Sequence, residues 1–256
     1  METKEFVIER CITRLDFDIP VKIYGAEISG PERVVIAVHG FAGDKESSVI
    51  KALGRRMSEN NGCVVCFDFP AHGKSEAPDS DLTVKNCISS LCAVAEFVKN
   101  KYPDTNEFGI FATSFGGYIS ILSSIKLRSI LGDAKYVLRA PAVCMAESLL
   151  DKIVCLSETE FEEKGSIICG FERKIDVSFD FYKDLKENDV FEMEFSENFI
   201  VIHGDQDDIV LPEHIKCFVD KFNAGRLFVI KGADHRFKNS GELEKIIEIS
   251  GEFLCC

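Results

Sequence analysis

The sequence predicts an α/β fold: a mostly parallel sheet flanked by helices, forming one domain with an inserted segment. Three observations predict it. Short apolar runs bounded by turn residues alternate with longer stretches of helical period, the pattern of strands and crossover helices. The 256 residues are 46% hydrophobic and 29% charged, enough to bury a sizeable core, and α/β units often use roughly 200–250 residues as one domain. One interval, residues 141–197, breaks the alternation.

Eight strands are expected, near Glu5–Glu9, Asp16–Tyr24, Arg33–His39, Cys63–Asp68, Glu107–Thr113, Tyr136–Ala140, Asn198–His203 and Leu227–Lys231. Each is a short apolar run closed by turn residues. Helices are expected over Ser47–Asn60, Leu82–Lys101, Phe115–Leu131, Pro212–Phe222 and Glu242–Phe253, where apolar residues recur every three or four positions. Pro212 suits a first helical turn, which needs no N–H donor. No repeat is visible.

The interval 141–197 holds acidic clusters such as Glu158-Thr-Glu-Phe-Glu-Glu-Lys164 and the aromatics Phe161, Phe171, Phe179, Phe181, Tyr182 and Phe191. A structureless loop of that length is unusual in a compact domain. An inserted cap or lid is therefore expected, because sites in parallel sheets form where strand carboxyl ends meet extra segments. The alternative is a solvated helical excursion with its own small core.

Composition narrows the partners. A formal charge of −13 opposes nucleic-acid binding, which needs a positive footprint. The longest apolar runs, Val34–Val38 and Cys63–Phe67, fall far short of the roughly 20 residues that span a bilayer, so no integral membrane association is expected. The first ten residues alternate charge and apolarity without the continuous apolar region of a secretory signal, which predicts a cytoplasmic protein. Eleven scattered cysteines suit reduced thiols rather than a disulfide framework. The pair Cys63-Val-Val-Cys66 lies in a β-branched run and reads as buried strand, not as a metal or redox motif.

The chemistry centres on Ala112-Thr-Ser114-Phe-Gly116-Gly117, which leaves a strand and opens a helix. A serine on so tight a turn has a strained backbone, and strand and helix pass so closely that the positions two before and two after it must be small. Ala112 and Gly116 meet that need, although glycine is usual at the first. A serine hydroxyl is a weak nucleophile and needs a general base held by a third group. Of the five histidines, His39, His72 and His203 stand at strand exits where an imidazole can tie down a loop, and His214 near a helix start reads as exposed. His235, in Gly232-Ala-Asp-His235-Arg-Phe, follows the last strand and precedes the last helix, which brings it to the sheet edge of Ser114. The turn after His203 carries Asp205, Asp207 and Asp208. Its position leaves all three open as the orienting acid.

These residues give the chain a family resemblance. The segments around His39-Gly-Phe41-Ala-Gly43, Asp68-Phe-Pro-Ala-His72-Gly-Lys-Ser75, Ser114-Phe-Gly-Gly, His203-Gly-Asp-Gln-Asp207 and Gly-Ala-Asp-His235 resemble those of α/β-hydrolases, and among them the cinnamoyl/feruloyl esterases, monoacylglycerol lipases and serine-aminopeptidase-like hydrolases. The resemblance covers nearly all the chain outside the insertion. It implies an α/β-hydrolase fold with a mostly parallel eight-stranded sheet and a cap over 141–197. It selects Asp207, three residues beyond the Gly of the His-Gly turn, and implies an oxyanion hole of the Phe41 and Phe115 backbone N–H groups.

The activity so implied is serine-esterase hydrolysis of esters of hydrophobic or aromatic acids by Ser114, His235 and Asp207. Neither metal nor organic cofactor is expected, and the partner is a small-molecule ester. A lipid monoester, a thioester or an aminoacyl amide fits the same machinery. A silent hydrolase-fold binding protein is the non-enzymatic alternative. The rings of Phe41, Phe115 and the insertion could line an aromatic pocket or simply fill the core. A histidine base predicts hydrolysis that declines through roughly pH 6–7.

Overall fold

A computed structural model describes residues 7–13, 16–25, 30–170, 173–223 and 226–255. In chain order the elements are β1 (Val7–Thr13), β2 (Asp18–Tyr24), β3 (Arg33–Val38), α1 (Ser48–Ser58), β4 (Gly62–Phe67), α2 (Val84–Lys101), β5 (Glu107–Thr113), α3 (Phe115–Leu122), α4 (Ser124–Leu131) and β6 (Ala134–Arg139). There follow α5 (Met145–Glu147), a π-helical turn (Ser148–Val154), α6 (Glu158–Lys164), a hairpin of β7 (Ser166–Cys169) and β8 (Ile175–Ser178), and α7 (Phe179–Glu187). The chain finishes with β9 (Asn198–Gly204), α8 (Pro212–Phe222), β10 (Arg226–Ile230) and α9 (Glu242–Cys255).

Eight strands form one sheet in the order β1-β2-β4-β3-β5-β6-β9-β10. The β1–β2 and β2–β4 pairs are antiparallel, and the pairs from β4 to β10 are parallel. This is the α/β-hydrolase architecture expected from the sequence. Alternation along β3 explains how it is held. Val34, Ile36 and Val38 face one apolar cluster, with buried residues of α2, α3, α4 and α8, while Val35 and Ala37 face another, with α1 and α9. A central strand covered on both faces must be apolar throughout.

The structure moves several boundaries. The first strand runs Val7–Thr13 rather than near Glu5–Glu9, and Glu5 lies outside the described residues. Two helices replace the single one expected over Phe115–Leu131, with a break at Ser123. There Ser120 and Ser123 donate their hydroxyls back to the carbonyls of Gly116 and Ile119, each at 2.7 Å, and such back-bonding competes with the helical ladder. The helix expected from Leu82 starts at Val84, where Thr83 accepts the N–H of Asn86 at 3.0 Å as its cap.

Residues 141–197 are folded into short elements rather than loop. Their buried Phe161, Phe179, Phe181, Tyr182 and Leu185 belong to the same apolar cluster as α2 and α3, so they do not form a separate core. Phe171 lies outside the described residues. Among the described residues no helix is long and apolar enough to cross a membrane.

Candidate active site

The carboxyl ends of β3, β5, β9 and β10 bring the candidate residues together. Ser114 stands between β5 and α3 with φ 51° and ψ −115°, a conformation that costs a non-glycine residue roughly 1–3 kcal/mol and persists only where the surroundings impose it. They do so here. The Ser114 N–H donates to Arg139 O at 3.0 Å, and its carbonyl accepts the N–H groups of Tyr118 and Ala142 at 3.1 and 3.0 Å. A Cβ on Gly116 would lie 2.5 Å from His39 O, so only glycine lets α3 pass β3 this closely. Ala112 is buried and pairs with Val38 and Leu138; its methyl group is accommodated where the family pattern has glycine.

His235 Nε2 lies 3.0 Å from Ser114 Oγ, and its Nδ1 lies 2.7 Å from Asp207 Oδ2. The other carboxylate oxygen of Asp207 accepts the N–H groups of Ile209 and Val210 at 3.0 and 2.8 Å, which fixes the acid, with Nδ1–H the donor to it. The two loops are laced together: Gln206 N–H donates to Ala233 O at 3.0 Å and Gly232 N–H to Asp205 Oδ1 at 2.6 Å. Asp205 is thus a loop tie, Asp208 is exposed, and Asp207 alone of the three meets the imidazole.

On the other flank, a Cβ on Gly40 would stand 3.3 Å from Ser114 Cβ, which places the Gly40–Phe41 turn beside the serine. Neither the Phe41 nor the Phe115 N–H has a hydrogen-bond acceptor among the described residues; Phe115 is the first residue of α3, where such N–H groups have no partner within the helix. The turn rests on a buried polar cluster that the sequence reading did not assemble. His39 donates from Nδ1 to Gly40 O at 2.8 Å and accepts the Phe69 N–H at Nε2, at 3.1 Å. Lys45 and Asp68 form an ion pair whose side chains are 2% and 0% exposed, and Asp68 also accepts the Lys45 and Lys74 N–H groups, each at 2.9 Å. His72 donates to Pro70 O at 2.7 Å. Burial lowers the proton affinity of His39, and pushes that of His72 down to about 3; both rings are neutral fixtures.

The other expectations sort by burial. The Phe115 ring is fully buried among Phe69, His72, Tyr118 and Phe181, so it packs the core and lines no pocket. Phe41 is half-buried, with its ring 6.1 Å from that of Phe115. Cys63 and Cys66 are free and buried, and burial raises both thiols, Cys63 to about 11. His214 is half-buried rather than exposed, with Nε2 3.6 Å from Glu147 Oε1. With Cys144 these two bring three metal-ligating atoms within 4.8 Å of one another, but an ordinary His–Glu contact accounts for the arrangement equally well. A 410 Å³ cavity lined by Lys135, Asn198 and Arg226 lies at the opposite, amino-terminal strand ends, away from Ser114. A 210 Å³ cavity opens beside the Phe41 turn, lined by residues 42–46, Asp68, Gly73, Lys74 and Arg173.

The sequence matches the α/β-hydrolase fold family over residues 33–123 and an uncharacterised protein family (UPF0227) over residues 80–251, more than half of the chain. The chain belongs to the uncharacterised family UPF0227, and its fold is that of an α/β-hydrolase. Solved structures agree across nearly the whole length. Est1E from Butyrivibrio proteoclasticus, with ferulic acid bound, superposes with a TM-score of 0.80 at 20% identity, covering 96% of this chain and 97% of that one. Mouse alpha/beta hydrolase domain-containing protein 10 gives 0.76 at 15% identity, covering 96% and 97%. A Pyrococcus furiosus esterase gives 0.70 at 18%, covering 98% and 90%. Identities this low establish the fold alone. No curated protein matches the sequence significantly.

Proposed function

We propose that this α/β-hydrolase is a serine esterase that cleaves carboxylic esters of hydrophobic or aromatic acids through an acyl-enzyme. The observation that carries the proposal is the continuous relay Ser114 Oγ, His235, Asp207, at 3.0 and 2.7 Å. In the proposed cycle His235 Nε2 takes the Ser114 proton as Oγ attacks the ester carbonyl, and Asp207 stabilises the imidazolium so formed. The tetrahedral oxyanion accepts the Phe41 and Phe115 N–H groups, each such donor being worth about 3–4 kcal/mol of barrier. His235 then protonates the leaving alcohol and activates a water that releases the acid. Residues 141–197 act as a cap: Arg173 donates to Gly73 O and Ser75 O at 2.8 and 3.1 Å, and Gly170 stands against Ala42, beside the oxyanion turn. The Pyrococcus furiosus protein is an esterase and Est1E binds ferulic acid, which supports an ester of an aromatic acid over the other acyl substrates.

A fluorophosphonate probe should label the wild-type protein and leave Ser114→Ala unlabelled; labelling that survives in the variant removes Ser114 from the mechanism. A panel of methyl ferulate, a monoacylglycerol, an acyl thioester and an aminoacyl anilide then reads the substrate class. The ferulate is expected to turn over fastest. A clear preference for another member overturns the aromatic ester, and no turnover of any, nor of a nitrophenyl ester, overturns the esterase.

A further inference from the structure

Resting on that reading of the site, a second buried cation on the base side of Ser114 has a position that packing alone does not explain. Arg139 closes β6 and is 8% exposed. Its main-chain carbonyl accepts the Ser114 N–H at 3.0 Å, while its Nη2 donates to the carbonyl of Arg236 at 3.0 Å, the residue directly after His235. The guanidinium carbon lies over the ring of Phe237, 4.5 Å from its centroid, and Phe237 itself takes a left-handed φ of 54°. One residue thus grips the nucleophile through its backbone and the base turn through its side chain.

We propose that Arg139 is the positioning residue of the catalytic base. A buried guanidinium is expensive to desolvate, and apolar replacements of such groups are often as stable; what Arg139 supplies that an apolar residue cannot is a fixed, planar fork that ties the Arg236 carbonyl and the Phe237 ring to the end of β6. His235 has to hold two directional contacts at once, to Ser114 and to Asp207, and a turn that slid along the sheet edge would lose one or both. The charge also has a place here. Asp207 from the β9–α8 loop, Asp234 from the base turn and Glu242 from α9 all act on the guanidinium, against a burial that lowers its proton affinity to about 10, so it remains cationic at neutral pH. Its Nε has no acceptor among the described residues, and the hydrogen bond of its Nη2 goes to the base turn.

The test compares Arg139→Met, which removes fork and charge, with Arg139→Lys, which keeps a charge and a donor without the planar fork. Fluorophosphonate titration counts competent sites, and kcat for a nitrophenyl ester is then expressed per competent site. For Arg139→Met the expected loss is about ten- to a hundredfold in kcat with KM unchanged, the size associated with a misplacement on the order of 1 Å, and Arg139→Lys should recover part of it. The downfield proton resonance of the His235–Asp207 hydrogen bond gives a readout independent of turnover and should broaden or vanish in Arg139→Met. Wild-type kcat per site together with a wild-type resonance, even if thermal stability falls, would reduce Arg139 to packing and overturn the proposal. If Arg139→Met does not fold, Arg139→Lys decides: a kcat about tenfold down supports positioning, and wild-type values refute it. Should the wild-type protein itself lack labelling and turnover, the esterase reading fails, while the resonance still tests whether Arg139 holds His235.

Discussion

The two flanks of Ser114 use the same kinds of residue for opposite ends. On the oxyanion flank, His39 and His72 are enclosed, bonded to backbone groups and driven neutral by burial. On the base flank, His235 is 16% exposed at its side chain and bonded to a carboxylate and a hydroxyl. Imidazole chemistry is therefore set by partners and water, not by residue type. The buried cations divide in the same way. Lys45 is matched by one carboxylate, Asp68, in a closed pair, whereas Arg139 reaches a backbone carbonyl in the turn that carries the base.

Substitutions should separate the flanks, first by rate. His235→Ala should lower ester turnover by at least about a thousandfold, and Asp207→Asn by about ten-thousandfold or less, since losing the acid leaves the wrong tautomer but spares the oxyanion donors. Both proteins should keep their melting temperatures to within a few degrees, because neither change opens a large cavity. Circular dichroism alongside nitrophenyl-ester assays checks this, and unfolding in place of a rate defect would erase the contrast.

The next effect is on stability. Lys45→Met strands the buried Asp68 charge, and breaking such a pair costs about 3–5 kcal/mol. Denaturant titration should show that loss. A loss under about 1 kcal/mol, the range of exposed pairs, would mean that the pair is not closed to water. Gly116→Ala should cost about 1–3 kcal/mol by overpacking, since its methyl group would meet the carbonyls of His39 and Val38 at 2.5 and 2.6 Å.

The smallest effect is one of pH. The unfolded chain protonates His72 near its ordinary value of 6.5, but the folded protein resists until about 3. Stability from the neutral ring is therefore complete above pH 6.5 and declines as pH falls through that window, by about 2 kcal/mol at pH 5. His72→Phe keeps a ring stacked on Phe115 and should lose less stability than the wild type between pH 7.5 and pH 5. Parallel stability curves would show that His72 is hydrated in the folded state.

What the sequence made legible follows from how local each signal is. Strand runs, the Ser114 turn and His235 depend on neighbours in the chain, and the burial of Val34 to Val38 on both faces of the sheet follows from a continuous apolar run. Asp207 needed the family pattern, because three carboxylates in one turn differ only in which of them the loop aims at His235. Nothing local marks Lys45 as buried or Arg139 as gripping a turn 97 residues away; both depend on long-range partners. The break at Ser123 was hidden in an apolar helical period. The capping box of Ser157 and Glu160 at α6 is a local Ser-x-x-Glu signal set in a segment dominated by acidic residues.

The central claim is that Ser114 becomes acylated with His235 as its base. Rapid quenching of the protein with a short-chain nitrophenyl ester, followed by intact-mass measurement and peptide mapping, reads this directly. The account predicts one acyl group per chain, on Ser114, in the wild type, and none within the same time in His235→Ala. Turnover without an adduct, or an adduct on any other residue, would contradict it.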